Sequence, residues 1–412
     1  MKKDLDQLMQ RLDIDVLLVT GAAQHNPAMV YFTGVGHVTG ADLIKKRGGE
    51  AVLFHAAMER EEAARTGLKT INYSAYPYDI RLAEASGDAD RALALRYRKM
   101  FADLGITSGT VAVYGEGDVG SFYTLLSLVQ AEMPDVKFKG FLQDELLMTA
   151  MMTKDAEEIE RIRQVGRVTT EVVAKTADYL TGQKVKNDTL VHSDDTPVTI
   201  GEVKNLINLW LAERDLENPE GTIFAQGHDA GVPHSTGAAS AAIKLGEPIV
   251  YDIFPCEAGG GYFYDFTRTW CLGHASDEML RLFEDVSKVY KTLAGELKVN
   301  TPYAVFQKRA CEMFEAMGHP TVMSNPSTEQ GYVHSLGHGV GLRIHEKPGS
   351  SLVNSTGSDI LAPGTVFAME PGLYYPEKGM GVRIEDTYTV DENGRFEVLV
   401  EYPRDLILPM KG

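Results

Sequence analysis

The sequence predicts a mixed α/β (α+β) protein of two domains, the first over residues 1–150 and the second over residues 151–412. Three observations lead there. Short apolar, strand-like runs alternate with helical stretches through the first 150 residues. A strongly capped amphipathic helix opens just after that boundary. Beyond it lie β-rich stretches holding four carboxylates inside or at the edge of apolar runs, where charge is not expected.

In the first domain, residues 14–19, 51–54 and 110–114 read as strands, and residues 58–66 and 88–104 as helices. His25, His37 and His55 have no acidic cluster beside them and read as ordinary loop and core histidines. Past residue 150, Asp155 stands as N-cap with Glu158 three residues on. Ile159, Ile162, Val165, Val168 and Val172 then recur at helical spacing. Residues 181–197 are polar and read as a loop, in which His192, Asp194 and Asp195 are solvated residues, not a metal site. Thr199 caps the next helix, residues 277–297 form an amphipathic one, and Thr301-Pro302 opens another that Gly318 closes. His274 and His319 flank turn signals and read as surface residues.

Composition narrows the functional classes. The 412 residues, 44% of them hydrophobic, suffice for two packed cores. A net charge of −18 excludes general affinity for nucleic acid or for an anionic membrane. Cys256, Cys271 and Cys311 are odd in number and form no CxxC pair, which fits a reducing, cytoplasmic setting. No apolar run follows the basic start at Lys2 and Lys3, so no signal peptide is expected, and no run has the length of a membrane span.

The four carboxylates carry the chemistry. Asp252 ends Pro-Ile-Val-Tyr-Asp, Asp265 sits in Tyr-Phe-Tyr-Asp-Phe-Thr-Arg-Thr-Trp, Glu370 in Val-Phe-Ala-Met-Glu-Pro, and Glu385 in Gly-Val-Arg-Ile-Glu-Asp. A carboxylate is rarely buried unless paired or bound to metal, because desolvation costs several kcal/mol. Arg268 and Arg383 can neutralise two of the four; a pair of divalent cations accounts for all of them. Between the two acidic pairs lie residues 334–346, HSLGHGVGLRIHE, with histidines four and seven residues apart. Their glycines and the following Pro348-Gly349 argue against a regular helix and for a loop with a short turn or strand. Imidazole and carboxylate together suit Mn²⁺, Co²⁺, Fe²⁺ or Zn²⁺ better than a thiolate-rich structural zinc site does.

These motifs resemble a known family. Residues 334–346 fit the prolidase and aminopeptidase P signature at every position, and the wider set is similar to the creatinase-like, pita-bread metallopeptidases. By that resemblance, Asp252, Asp265, His338, Glu370 and Glu385 are the metal ligands. His234 and His345 match the first two active-site histidines, and His334 the third. Glu370 is also the natural general base, and Thr267, Thr269 and Arg383 support the ligands. Tyr31-Phe32-Thr33-Gly34 extends the likeness to the family's non-catalytic N-terminal domain. The implied fold is a creatinase-like α/β domain followed by a pita-bread catalytic domain with a curved, mainly antiparallel sheet and flanking helices. The implied cofactors are two divalent metal ions per chain, Mn²⁺ first, with Co²⁺, Zn²⁺ and Fe²⁺ as alternatives, in a homodimer. One departure is the spacing of thirteen residues between Asp252 and Asp265, longer than the family leads one to expect. The extra length falls in the turn-like stretch 257–261.

The resemblance implies a peptidase whose peptide substrate carries proline in second position. Strict dipeptidases of this branch often have an arginine four residues after the second active-site histidine, to clamp the substrate carboxylate. Here Gly349 stands there, with Lys347 two residues before it, which tilts the reading toward an Xaa-Pro aminopeptidase over an Xaa-Pro dipeptidase (prolidase). Two other classes are carried alongside: a lyase or non-peptide hydrolase on the same fold, and a binding scaffold without activity.

Overall fold

A computed structural model describes residues 4–34, 36–353 and 357–411; Met1, Lys2 and Lys3, read above for a leader, lie outside them. The chain forms two compact units, Met1–Met151 with Gly259–Gly261, and Met152–Ala258 with Tyr262–Gly412.

The first unit is built on a six-stranded sheet. Its order is Lys69–Asn72, Ala51–His55, Ala41–Lys46, Val16–Gly21, Gly109–Gly115, Val136–Lys139. The helices Ala89–Asp103 and Val119–Glu132 contribute Ala94, Tyr97, Phe101 and Val129 to its core, against Leu18, Phe54 and Val111. The first strand starts two residues later than its apolar run. Ile14 N–H is used by Met9 in closing the preceding helix, and the Asp15 carboxylate accepts from Thr110 N–H and Arg47. The stretch read as one helix over 58–66 is a 3₁₀ turn, Ala57–Glu59, followed by the helix Arg60–Arg65.

The second unit opens with the helix Ala156–Thr181, closed at its N-terminus by the full Asp155–Glu158 capping box. Four strands, Thr222–Gln226, Pro248–Ile253, Phe266–Leu272 and Ile407–Leu408, form one sheet in that order. Val366–Met369, Asp386–Val390 and Phe396–Val398 form a second, and Gly372–Tyr375 pairs with Met380–Arg383. A bridge between Thr267 and Glu385 ties the first set to the rest. The helices Asp277–Glu296 and Tyr303–Ala316 pack Val286, Val289, Phe306 and Phe314 into a core with Phe367, Leu373 and Val382.

Three local expectations are corrected. Residues 181–197 are not all loop: Lys184–Lys186 and Thr189–Val191 form a hairpin. Asn187 and Asp188 between them both take positive φ, the backbone a two-residue hairpin turn requires. Thr301–Pro302 pairs with Ile360–Leu361, and the helix it leads into starts at Tyr303 with Pro302 as N-cap, one residue later than the expected Thr301 cap and N1 proline; Tyr303 N–H donates to Asp359 O. His319 is no surface residue. Its ring is 14% exposed and held between the Tyr375 hydroxyl, 2.6 Å away, and the Asp285 carboxylate, 3.1 Å away.

Candidate metal centre

Each candidate ligand is delivered by the end of a strand or by a loop lashed to one. Asp252 lies near the end of Pro248–Ile253, in register with Ile223 on one side and Thr267 on the other. Asp265 immediately precedes Phe266–Leu272. Glu370 follows Val366–Met369, and Glu385 joins Met380–Arg383 to Asp386–Val390. The histidine segment is irregular and runs beside Val366–Met369 through Glu370 N–H to Leu336 O, Ala368 N–H to His338 O and Val340 N–H to Val366 O. Its glycines are there for closeness: a Cβ on Gly337 would stand 2.0 Å from Ala368 O, and one on Gly339 2.0 Å from Lys347 O. At the far end Glu346 is locked by a fully buried ion pair with Lys154, 2.7 Å long.

All five candidate ligands and the three other histidines line one cavity of about 470 Å³. His338 Nδ1 faces Gly339 O at 3.1 Å, which leaves Nε2 as the free ring nitrogen. That nitrogen is 3.5 Å from Asp265 Oδ2 and 3.5 Å from Glu370 Oε1. Ligand atoms of Asp265, His338 and Glu385 all lie within 4.8 Å of one another. Asp252 Oδ1, Asp265 Oδ1 and Glu385 Oε1 are buried and accept no hydrogen bond. A buried carboxylate oxygen without a partner is costly, and three of them lining one cavity with an imidazole fit divalent cations.

The surrounding groups hold these oxygens in place. Arg383 donates to Asp252 Oδ2 at 2.6 Å, to Tyr374 OH at 2.7 Å and to Thr267 Oγ1 at 3.2 Å. Thr267 in turn donates to Glu385 Oε2 at 2.6 Å, while Thr269 exchanges hydrogen bonds with the Arg383 backbone. Arg268 neutralises none of the four carboxylates. It pairs with Asp386 at 2.8 Å and donates to Glu385 O at 2.7 Å, so it fixes the backbone of that ligand. His334 Nε2 lies 2.9 Å from Tyr374 OH and Nδ1 2.7 Å from Ser335 O. Since Arg383 already donates to the Tyr374 oxygen, the phenol proton is left for His334 Nε2. Tyr374 and Lys154 were not singled out from the sequence. A tyrosine in an apolar run four residues past Glu370 was a signal for the first; nothing local marked the second.

Burial and mutual repulsion set the protonation of the ion-free centre. Burial, then the charges of Asp252 and Glu370, raise Asp265 well above the carboxylate range. Burial, then Asp265 and Glu370, do the same to Glu385. Burial pushes Glu370 up to about 8 against the pull of Arg383. Burial also lowers His334 and His338 to about 3, so both are neutral at pH 7. His345 is lowered by burial, with the Glu220 carboxylate opposing.

A stability test follows from these directions. The raised carboxyls keep protons that the unfolded chain has released, which favours the fold less as pH rises toward about 8. The depressed histidines act oppositely while the pH passes through their ordinary value of 6.5, and that effect fades above it. Between about pH 7 and 8 the carboxyls dominate, so the melting temperature of chelator-treated protein should fall across that window. Added divalent ions should flatten the fall, and an ion-free curve that rises there would contradict the assignment.

The remaining histidines are apart from this centre. His228 is 68% exposed, and His192 pairs with Glu202 at 3.0 Å. Asp194 and Asp195 are held by Thr196 and Lys186, and His274 is exposed.

Strands that converge four carboxylates and an imidazole on one cavity define a metal-dependent hydrolase of the pita-bread type. The profile of metallopeptidase family M24 matches residues 160–392, more than half of the chain, and the chain belongs to that family. It is 25% identical over 397 residues to an Xaa-Pro dipeptidase of Pyrococcus furiosus, covering 96% of this chain and 97% of that one. An X-Pro aminopeptidase structure from Thermotoga maritima superposes with a TM-score of 0.73 at 24% identity, over 97% of this chain and 99% of that one. A dipeptidase structure from Pyrococcus horikoshii gives 0.73 at 22% identity, over 98% and 99%. The fold expected from the sequence, an α/β domain followed by a pita-bread domain, is therefore the fold observed. The protein is a metallopeptidase, and its family implies divalent metal ions. No helix among the described residues is long and apolar enough to cross a membrane.

Proposed function

We propose that this protein hydrolyses the bond between an N-terminal residue and a following proline, as an Xaa-Pro aminopeptidase. Asp252, Asp265, His338, Glu370 and Glu385 would hold two divalent ions, with residues 151–412 as the catalytic domain and residues 1–150 as a non-catalytic one. The observation that carries the metal assignment is the set of three buried, unpartnered carboxylate oxygens in the cavity that His338 lines. A donor set of oxygens and one nitrogen favours Mn²⁺, with Co²⁺, Zn²⁺ or Fe²⁺ as alternatives. Three buried free cysteines support a cytoplasmic setting, and a homodimer is the assembly we propose.

When bound, the ions supply Lewis-acid activation of water and of the scissile carbonyl. Glu370, on the cavity wall 3.5 Å from His338 Nε2, accepts a proton from the attacking water and returns it to the leaving nitrogen. His234 and His345, on the cavity wall, donate to the oxygen on which charge develops. The chain Asp252, Arg383, Tyr374, His334 fixes the ligand carboxylate at one end and the third histidine at the other.

The preference for longer peptides rests on what the cavity lacks. Among its described lining residues Arg383 is the one lysine or arginine, and it is committed to Asp252. Lys347 lies outside the lining, with its ammonium near Ser358. No lysine or arginine among the described lining residues is left to clamp the carboxylate of a dipeptide, whereas a longer peptide presents a neutral amide there. Steady-state kinetics should therefore give Ala-Pro-Ala a kcat/KM at least equal to that of Ala-Pro. Gly349 lines the cavity, and a Cβ there would meet no atom within 4 Å. Gly349→Arg should accordingly shift preference toward the dipeptide. The second reading, an Xaa-Pro dipeptidase, is favoured by the name of the Pyrococcus furiosus relative. A wild-type preference for Ala-Pro above about tenfold, roughly 1.4 kcal/mol, would put it first.

A further inference from the structure

Among the described lining residues Glu220 is the one carboxylate outside the candidate ligand set. Unlike the others it is exposed, and it accepts no hydrogen bond and joins no ion pair among the described residues. A defined turn presents it: Gly221 takes φ +81°, its N–H donates to Asn218 O, and the Asn218 amide reaches Thr222 Oγ1 at 2.8 Å. The turn leads straight into the strand Thr222–Gln226, where Ile223 stands in register with Asp252. Glu220 is thus three positions along the chain from the residue beside a ligand. At ~3.3 Å per residue that is at most about 10 Å, a span that a lysine or arginine side chain and a glutamate can bridge between them.

The pairing of charges in the cavity sets this carboxylate apart. The four ligand carboxylates would face the divalent ions, and Arg383, the one lysine or arginine among the described lining residues, is held by Asp252. Glu220 is left as a negative charge at the wall of the cavity with no paired cation among the described residues. Charges so placed attract or repel a substrate more than the same charges in open water.

We infer that Glu220 selects peptides whose first residue carries a positively charged side chain, so that the substrate class of this site is N-terminal Lys-Pro and Arg-Pro peptides ahead of neutral or acidic ones. The inference rests on the Xaa-Pro reading above. A cationic side chain extending from the residue on the amino side of the scissile bond meets the Glu220 carboxylate, and an acidic one is repelled by it. The pairing is partly solvated, so it acts mainly on KM and weakens as salt rises.

The test is kcat/KM for Arg-Pro-Ala, Ala-Pro-Ala, Glu-Pro-Ala and Ala-Pro-Arg with metal-loaded wild type, Glu220→Gln and Glu220→Lys. Melting temperature and metal content of each variant confirm that the exposed substitution leaves the fold loaded. The wild-type ratio of Arg-Pro-Ala to Ala-Pro-Ala should fall roughly three- to fivefold in Glu220→Gln, the size of a partly exposed ion pair. In Glu220→Lys, Glu-Pro-Ala should overtake Arg-Pro-Ala. Ratios that agree within a factor of about two across all three proteins would overturn the inference alone, as would a Glu220-dependent preference confined to Ala-Pro-Arg. Failure of loaded wild type to cleave any of the four would overturn the Xaa-Pro reading and this inference with it.

Discussion

Asp265→Ala is expected to lose both bound metal and turnover. Asp265 sits closest to the middle of the centre: Oδ2 is 3.5 Å from His338 Nε2, Oδ1 is unpartnered, and its ligand atom falls within 4.8 Å of those of His338 and Glu385. Removing it also changes the repulsion that raises Glu385. Asp265 would hold the ions together with His338 and Glu385, so its loss removes a donor from that cluster of ligand atoms. Metal content should therefore drop toward zero, with kcat falling below detection. A variant that kept its full metal complement would show that Asp265 is not a ligand.

His234→Ala and His345→Ala should behave in the opposite way, keeping metal while losing turnover. Both line the cavity, and neither ring lies among the atoms that converge on His338 Nε2. His345 packs against His338, with ring centroids 4.3 Å apart, close enough to act on the same reacting atoms without being a ligand. Loss of a donor to a developing oxyanion costs roughly a hundredfold or more in kcat. Such a loss at unchanged metal content, in each variant, is the expected outcome. Much weaker metal binding would instead make them ligands.

The sequence revealed most where a pattern is local. The Asp155–Glu158 capping box, the apolar spacing of the helix after it, and the strand Pro248–Ile253 all follow from neighbouring residues, and all form. Carboxylates in apolar runs were legible for the same reason, because their context contradicts their chemistry. What was hidden depends on partners distant in the chain. The strand Ala41–Lys46 contains Asp42 and Lys45, both buried, so it does not look like one. Asp42 accepts from Tyr73 and Tyr97, and Lys45 reaches Asp6. In the site, Lys154 meets Glu346 across 192 positions, and Arg268 chooses Asp386 over the four carboxylates it was read beside. The Asn187-Asp188 turn was legible in principle, but its polarity was taken for loop.

The central claim is a centre that holds two ions with Asp252, Asp265, His338, Glu370 and Glu385. Elemental analysis of the wild-type protein, saturated in turn with Mn²⁺, Co²⁺ and Zn²⁺ and freed of excess, measures it most directly. The account predicts a ratio near two ions per chain, falling toward zero in Asp265→Ala. A wild-type ratio that stays near zero with all three metals would contradict it.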